Sequence, residues 1–194
     1  MNQILDHLME KLLKDGFARS EDAEIVRFGL ELTFMRTIIS AATIIVAFAL
    51  DSAPAVIAFM AVYQPLRSFC GGYHAKTRTL CFLFSMLEIV SVITATKILT
   101  YKFCHSSALF FIISGLTMII TFAPTDTPSK PFDTVERIVF RKRSLIALFY
   151  ALIMADICMY FSHDTMLLAV SLAVFFTGFL LVIGRLTKKK GAIA

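Results

Sequence analysis

Charge is scarce in this chain. Of its 194 residues only 17% are Asp, Glu, Lys or Arg, while 58% are hydrophobic and the mean hydropathy is +0.78. A soluble domain is nearer half apolar. This much apolar surface cannot be hidden inside a water-facing fold, so an integral membrane protein is expected. Cysteine is scarce as well. The four thiols, Cys70, Cys81, Cys104 and Cys158, are not spaced as a disulfide framework. The first thirty residues are charged throughout and hold no compact apolar segment followed by small residues, so no secretory signal is expected. No internal repeat and no low-complexity tract is visible, which weighs against a repeat-built transporter. The net charge of +5 then belongs to cytoplasmic loops, and no nucleic-acid partner is expected.

A membrane helix takes about 20 mostly apolar residues. Runs of this kind lie at roughly 33–50, 54–69, 80–99, 107–123, 144–161 and 165–184, six spans joined by short polar segments. The 54–69 run is short, so it must tilt, thin the bilayer or re-enter. Ahead of the spans, MNQILDHLMEKLLKD has helical period. Ile4, Leu5, Leu8, Met9, Leu12 and Leu13 take one half of the helical wheel; Asp6, His7, Glu10, Lys11 and Lys14 take the other. The pattern predicts an amphipathic helix over residues 1–16 lying in the membrane interface, with a packing helix of a soluble cap as the alternative. Gly16 ends it, and Ser20 followed by acids reads as a new helix start. The fold class expected is all-α: one polytopic membrane domain over 1–194, with about six transmembrane helices.

Lys and Arg orient it. Lys11, Lys14, Arg19 and Arg27 precede the first span; Arg67, Lys76 and Arg78 lie between the second and third. Lys130, Arg137, Arg141, Lys142 and Arg143 lie between the fourth and fifth, and Arg185, Lys188, Lys189 and Lys190 follow the sixth. The alternate loops near Asp51 and at 162–164 carry neither, and the loop at 100–106 carries only Lys102. The positive-inside rule thus puts both termini, the 67–81 stretch and a basic loop over 124–143 in the cytoplasm. Thiols there stay reduced.

The stretch RSFCGGYHAKTRTLC, Arg67 to Cys81, is out of character with its apolar surroundings. Cys81 and His74 are a candidate nucleophile and base, because the thiolate is the reactive form of cysteine and an imidazole can take its proton. Seven residues of continuous helix would put both on one face but about 10.5 Å apart, too far for a hydrogen bond. A catalytic pair therefore requires the chain to leave the helix between them, and Gly71-Gly72 offers that freedom nearby. Two other readings stay open: a basic connector with a chance cysteine, and a metal site of Cys70, His74 and Cys81, which lacks the paired spacing of structural zinc. Cys104-His105, on the outer side, reads as a loop, and Cys158 as packing. Glu88 and Asp156 are ionisable groups within spans, where they are costly and functional candidates by default. Glu88 shares the helical face of Cys81, about two turns deeper.

Arg67, Gly71-Gly72, His74 and Cys81 at the head of an apolar helix resemble the signature of the accessory gene regulator B (AgrB) family of membrane peptidases. APTDTPSKPFDTVERIVFRKRS is similar to that family's basic central segment, with Pro124, Lys130 and Pro131 in matching places. The amphipathic start, the length and the number of spans agree, so the resemblance covers nearly the whole chain. It implies a thiol protease of a bacterial cell membrane, Gram-positive in origin, acting in quorum sensing. The substrate implied is a short AgrD-like propeptide with an amphipathic leader, a core holding a Cys or Ser, and an acidic tail. The enzyme would cut between core and tail and leave the core as a cyclic thiolactone or lactone autoinducing peptide.

By the same implication Cys81 is the nucleophile and His74 the general base. Arg67, Gly71, Gly72, Lys130 and Pro131 support the site. Arg67 could orient the loop, bind substrate carboxylates or anchor an interface. Arg137, Arg141, Lys142 and Arg143 share the cytoplasmic side with Cys81 and are expected to hold the acidic tail. A homodimer in the lipid bilayer is expected, with no cofactor and no metal. Two other classes remain: a small membrane transporter or exporter with Asp156 and Glu88 along a polar path, and a non-catalytic membrane scaffold.

Overall fold

The computed structural model describes residues 2–15, 19, 23–73, 77–99, 103–125 and 133–191. They form α1 (Asn2–Lys14), α2 (Ala23–Ala49), α3 (Ala53–Cys70), α4 (Arg78–Leu99), α5 (Cys104–Phe122), α6 (Thr134–Tyr160) and α7 (Asp164–Gly191). Among the described residues, β pairing is confined to one bridge between Gly71 and Thr125. The chain divides into two units, Met1–Thr43 and Ile44–Ala194. In the first, α1 buries Met9 and exposes Leu8 and Leu13, and Asp6 pairs with Arg27 at 2.8 Å. Both partners are about half exposed, so water screens the pair to at most ~1 kcal/mol.

Among the described residues, five helices are long and apolar enough to cross a membrane: Ala23–Ala49, Thr79–Leu99, Cys104–Phe122, Thr134–Tyr160 and Asp164–Thr187. The chain is an all-α membrane protein. The short 54–69 run, counted from sequence as a further span, is α3 and is not among the five. Tyr63, Gln64, Arg67 and Ser68 make its second half polar. Its packing makes this tolerable, because α3 lies against α7 and α6 and buries Val56, Phe59, Val62, Leu66 and Cys70. Lys97 near the end of α4 donates to the Leu50 carbonyl just before α3, at 2.8 Å. The other end of α3 meets Thr125, just after α5. α3 therefore runs the length of its neighbours, about 27 Å for its 18 residues.

α7 is the central helix: 61% of its apolar window is buried, against 12–33% in the other four. It packs most extensively on α5. A Cβ on Gly115 would lie 2.6 Å from the Val174 carbonyl, and one on Gly178 would lie 2.9 Å from the Gly115 oxygen. Small residues are how membrane helices gain contact where no hydrophobic effect draws them together. Hydroxyls within helices bond to their own preceding turn, as Thr177 does to Ala173 and Ser91 to Leu87, and so need nothing from lipid. Ile45, Phe48, Leu83, Leu87, Phe110 and Phe149 are exposed, an apolar exterior suited to hydrocarbon.

α6 starts well before its apolar run. Residues 134–143, read from sequence as the second half of a basic loop, are its first turns. A capping box explains the early start: the Asp133 carboxylate accepts from the Glu136 N–H, and the Glu136 carboxylate accepts from the Asp133 N–H at 3.3 Å, with the Thr134 N–H donating to Asp133 as well at 2.6 Å.

Candidate active site

α3 stops at Cys70 because Gly71 (φ 75) and Gly72 (φ 117) adopt backbone conformations that side chains disfavour. Neither position has room to grow. A Cβ on Gly71 would collide with the Thr125 carbonyl oxygen, and one on Gly72 with the Arg67 guanidinium. The turn is anchored from three directions. The Thr125 N–H donates to the Cys70 carbonyl and the Tyr73 N–H to the Leu180 carbonyl of α7, both at 3.0 Å. The Arg67 guanidinium reaches along α3 and donates from Nη1 to the Gly71 carbonyl at 2.5 Å and from Nη2 to the Tyr73 carbonyl. Of the roles open to Arg67, the structure shows loop orientation. Gly184 of α7 admits this approach, since a Cβ there would lie 2.8 Å from the Tyr73 nitrogen.

Thr77 then starts α4. Its Oγ1 accepts from the Leu80 N–H at 3.3 Å and its carbonyl from the Cys81 N–H at 3.0 Å, as an N-cap does. Cys81 consequently sits in the first turn of α4, half-buried and free. Cys70 is free but fully buried, so of the two thiols in the stretch only Cys81 is open to a substrate. The Tyr73 ring meets Phe84 edge-on, with centroids 6.4 Å apart. The chain after the glycines thus lies beside the first turns of α4, and the backbone from Gly71 to Cys81 is not one straight helix, as a His74–Cys81 pairing needs. His74 lies outside the described residues, as do Lys76, Lys130 and Pro131.

A part-buried polar pair lies deeper. The Tyr63 hydroxyl of α3 donates to Glu88 Oε2 of α4 at 2.9 Å, one turn before Arg67 on α3. Glu88 Oε1 is buried with no hydrogen-bond partner among the described residues.

The basic residues of α6 divide by task. Arg141 donates from Nη2 to the Ile120 carbonyl at 2.6 Å and from Nη1 to Ala123, so it closes the C-terminal end of α5. Arg143 stands over the Phe69 ring, 5.9 Å from its centroid. Ser144, fully buried, donates within reach of the Phe69 and Phe140 carbonyls at 2.9 and 2.8 Å. Lys142 is exposed, and so is Arg137. At the far end of α5, Cys104, His105 and Asp164 bring their ligand atoms within 4.8 Å of one another, the one such group among the described residues. Cys104 Sγ lies 3.3 Å from the Asp164 backbone carbonyl. The triad of Cys70, His74 and Cys81 considered from sequence includes His74 and so lies outside the described residues.

The family model for accessory gene regulator B matches residues 2–181. The chain belongs to the AgrB family. No curated protein and no solved structure matches it. The matched span takes in α1, the whole α3–α4 turn with Arg67, Gly72 and Cys81, and the basic start of α6. AgrB membership makes this a multi-pass membrane protein of agr quorum sensing, concerned with propeptide processing, with an AgrD-like propeptide as its partner.

Sequence reasoning missed several parts of this AgrB site. Thr125, Leu180 and Gly184 build the turn from 45 or more positions away, and nothing local marks them. Tyr63 lies within an apolar run and carries no local signal of its own. The start of α6 did carry a signal, the DTVE of residues 133–136, which has the form of a capping box.

Proposed function

We propose that the protein is a membrane cysteine endopeptidase that removes the acidic tail of its propeptide and closes the core into a thiolactone or lactone. The observation that carries the reading is the clamped turn: Arg67 holds the Gly71-Tyr73 backbone just ahead of a half-buried cysteine in the first turn of α4. His74 takes the proton from the Cys81 thiol. The thiolate attacks the carbonyl of the last core residue, the C–N bond breaks, and the tail leaves as an amine with the proton from His74. The core is then a thioester on Cys81. A core Cys or Ser, giving its proton to His74, attacks the thioester carbonyl; the ring closes and Cys81 departs as thiolate to be reprotonated. Thioester-to-thiolactone exchange is nearly balanced, whereas forming a thioester from a peptide bond is uphill, so removal of the tail drives the sequence. Water competes for the acyl-enzyme, and the site must keep the core nucleophile close.

The charge asymmetry of the loops supports a cytoplasmic site in a bacterial cell membrane. Exposed Lys142 and Arg137, with Lys130 on the preceding segment, are the cations suited to an acidic tail. A homodimer is the assembly we assign, through the apolar exterior. The test is tail release on membranes: Cys81→Ala and His74→Ala should each abolish it at normal insertion, while Cys70→Ala, Cys104→Ala and Cys158→Ala keep most of it. Tail release by Cys81→Ala would end the peptidase reading.

A further inference from the structure

A carboxylate within a membrane span is costly unless its oxygens are satisfied. Glu88 is half satisfied. Tyr63 holds Oε2 at 2.9 Å, while Oε1 is shut away from solvent with no partner among the described residues. A buried acceptor left unpaired calls for an explanation, and here position suggests one. Glu88 stands seven residues after Cys81, on the same face of α4. Tyr63 stands one turn before Arg67 on α3, and its hydrogen bond to Glu88 ties that turn of α3 to α4. The orphan oxygen thus belongs to the surroundings of the candidate nucleophile and to the clamp that positions it.

We propose that Glu88 Oε1, aimed by Tyr63 and covered in the free chain, is uncovered when the peptide core joined to Cys81 enters and serves as the docking acceptor for one of its backbone N–H groups. A peptide at this depth has no water for its amides, and the neighbouring helix carbonyls are engaged in their own helices. A fixed carboxylate oxygen is the acceptor that such an amide needs. The spacing names the amide. Seven helical residues rise about 10.5 Å, and an extended peptide advances about 3.4 Å per residue, so the N–H should belong to the residue about three positions before the cleaved bond. Glu88 is then a positioning residue for the acyl core. By holding the strand it keeps the ring-forming side chain near the thioester and disfavours attack by water.

The proposal rests on the peptidase reading, and the experiment separates the two. The probe is a synthetic AgrD-like peptide with an amphipathic leader, a core holding a Cys or Ser and an acidic tail, carrying single backbone N-methyl groups placed along its core. Membranes carrying the parent, Cys81→Ala or Glu88→Met are given each peptide, and released tail, cyclic core and linear core are measured. Methionine keeps the length and removes the acceptor. The parent must cleave and Cys81→Ala must not; otherwise the peptidase reading fails, whatever Glu88 does. Given that, N-methylation about three residues before the cleaved bond should cost the parent 10-fold or more in kcat/KM. Glu88→Met should show that loss already on the unmodified peptide, be indifferent to the methyl group, and release more linear core. A purely structural Glu88 would lower every peptide equally and leave the cyclic-to-linear ratio unmoved, and that result overturns the proposal. So does the absence of any position at which methylation and the substitution overlap. If Glu88→Met does not accumulate, Tyr63→Phe takes its place. It frees the carboxylate to swing, so the methyl discrimination must shrink, and full discrimination in Tyr63→Phe refutes the aiming role.

Discussion

Arg67→Lys keeps the charge and removes the fork. The guanidinium satisfies two carbonyls at once, those of Gly71 and Tyr73, and both are part-buried acceptors. A hydrogen bond from a charged donor contributes about 1.5–3 kcal/mol. An ammonium is a compact donor that cannot span the two oxygens, so one of them loses its partner. The turn is thereby weakened by about 1.5–3 kcal/mol, equivalent to a roughly 10- to 150-fold fall in the equilibrium constant for forming it at 1.4 kcal/mol per decade. Local turns lie at the low end of stability within a fold, so this loss should fall on the turn and leave the helices in place. Tail release by Arg67→Lys should drop by one to two orders of magnitude, with insertion unchanged, and Arg67→Gln should drop at least as far. The assay uses two propeptides, one with its acidic tail and one with a neutral tail, and follows Cys81 alkylation by a maleimide in parallel. A clamp predicts equal losses on both substrates and altered alkylation. Parent-level activity in Arg67→Lys would refute the clamp argument. A loss confined to the acidic substrate would instead mean that Arg67 binds carboxylates.

Gly72→Ala combines a φ of 117 with a collision against Arg67 and should abolish tail release, whereas Gly29→Ala, with nothing within 4 Å of the added Cβ, should behave as the parent in the same assay. Arg141→Gln removes the donors to Ile120 and Ala123 and should lower thermal stability by about 1–3 kcal/mol, harming both substrates alike; Lys142→Gln should weaken only the acidic one, through KM and less at high salt. Gly115→Val pushes side-chain carbon into the Val174 backbone and should cost about 1–3 kcal/mol, seen as reduced accumulation in membranes. A Gly115→Val protein with parent-level accumulation would mean that α5 and α7 do not pack as closely as described.

The membrane class was legible from composition, because hydropathy is a sum over residues and needs no geometry. The helix positions followed from the same sums, and the break after Cys70 from two adjacent glycines. The boundary of α6 was legible too, but a hydropathy scan registers where a span enters lipid, whereas the capping box at Asp133 sets where the helix begins. Tertiary structure decided what the polar side chains do. Arg67 and Arg141 look alike in sequence, as cations at the edges of apolar runs. One holds the turn between α3 and α4 and the other the end of α5, because those are the carbonyls that helix rotation left unpaired within reach. Tyr63 and Glu88 are 25 positions apart and carry no shared local signal. Their pairing depends on the register of α3 against α4, which is fixed by how both pack around α7. Hydrogen bonds between helices are set by that register to a fraction of an ångström, and a one-dimensional pattern of apolar and polar residues carries no such information.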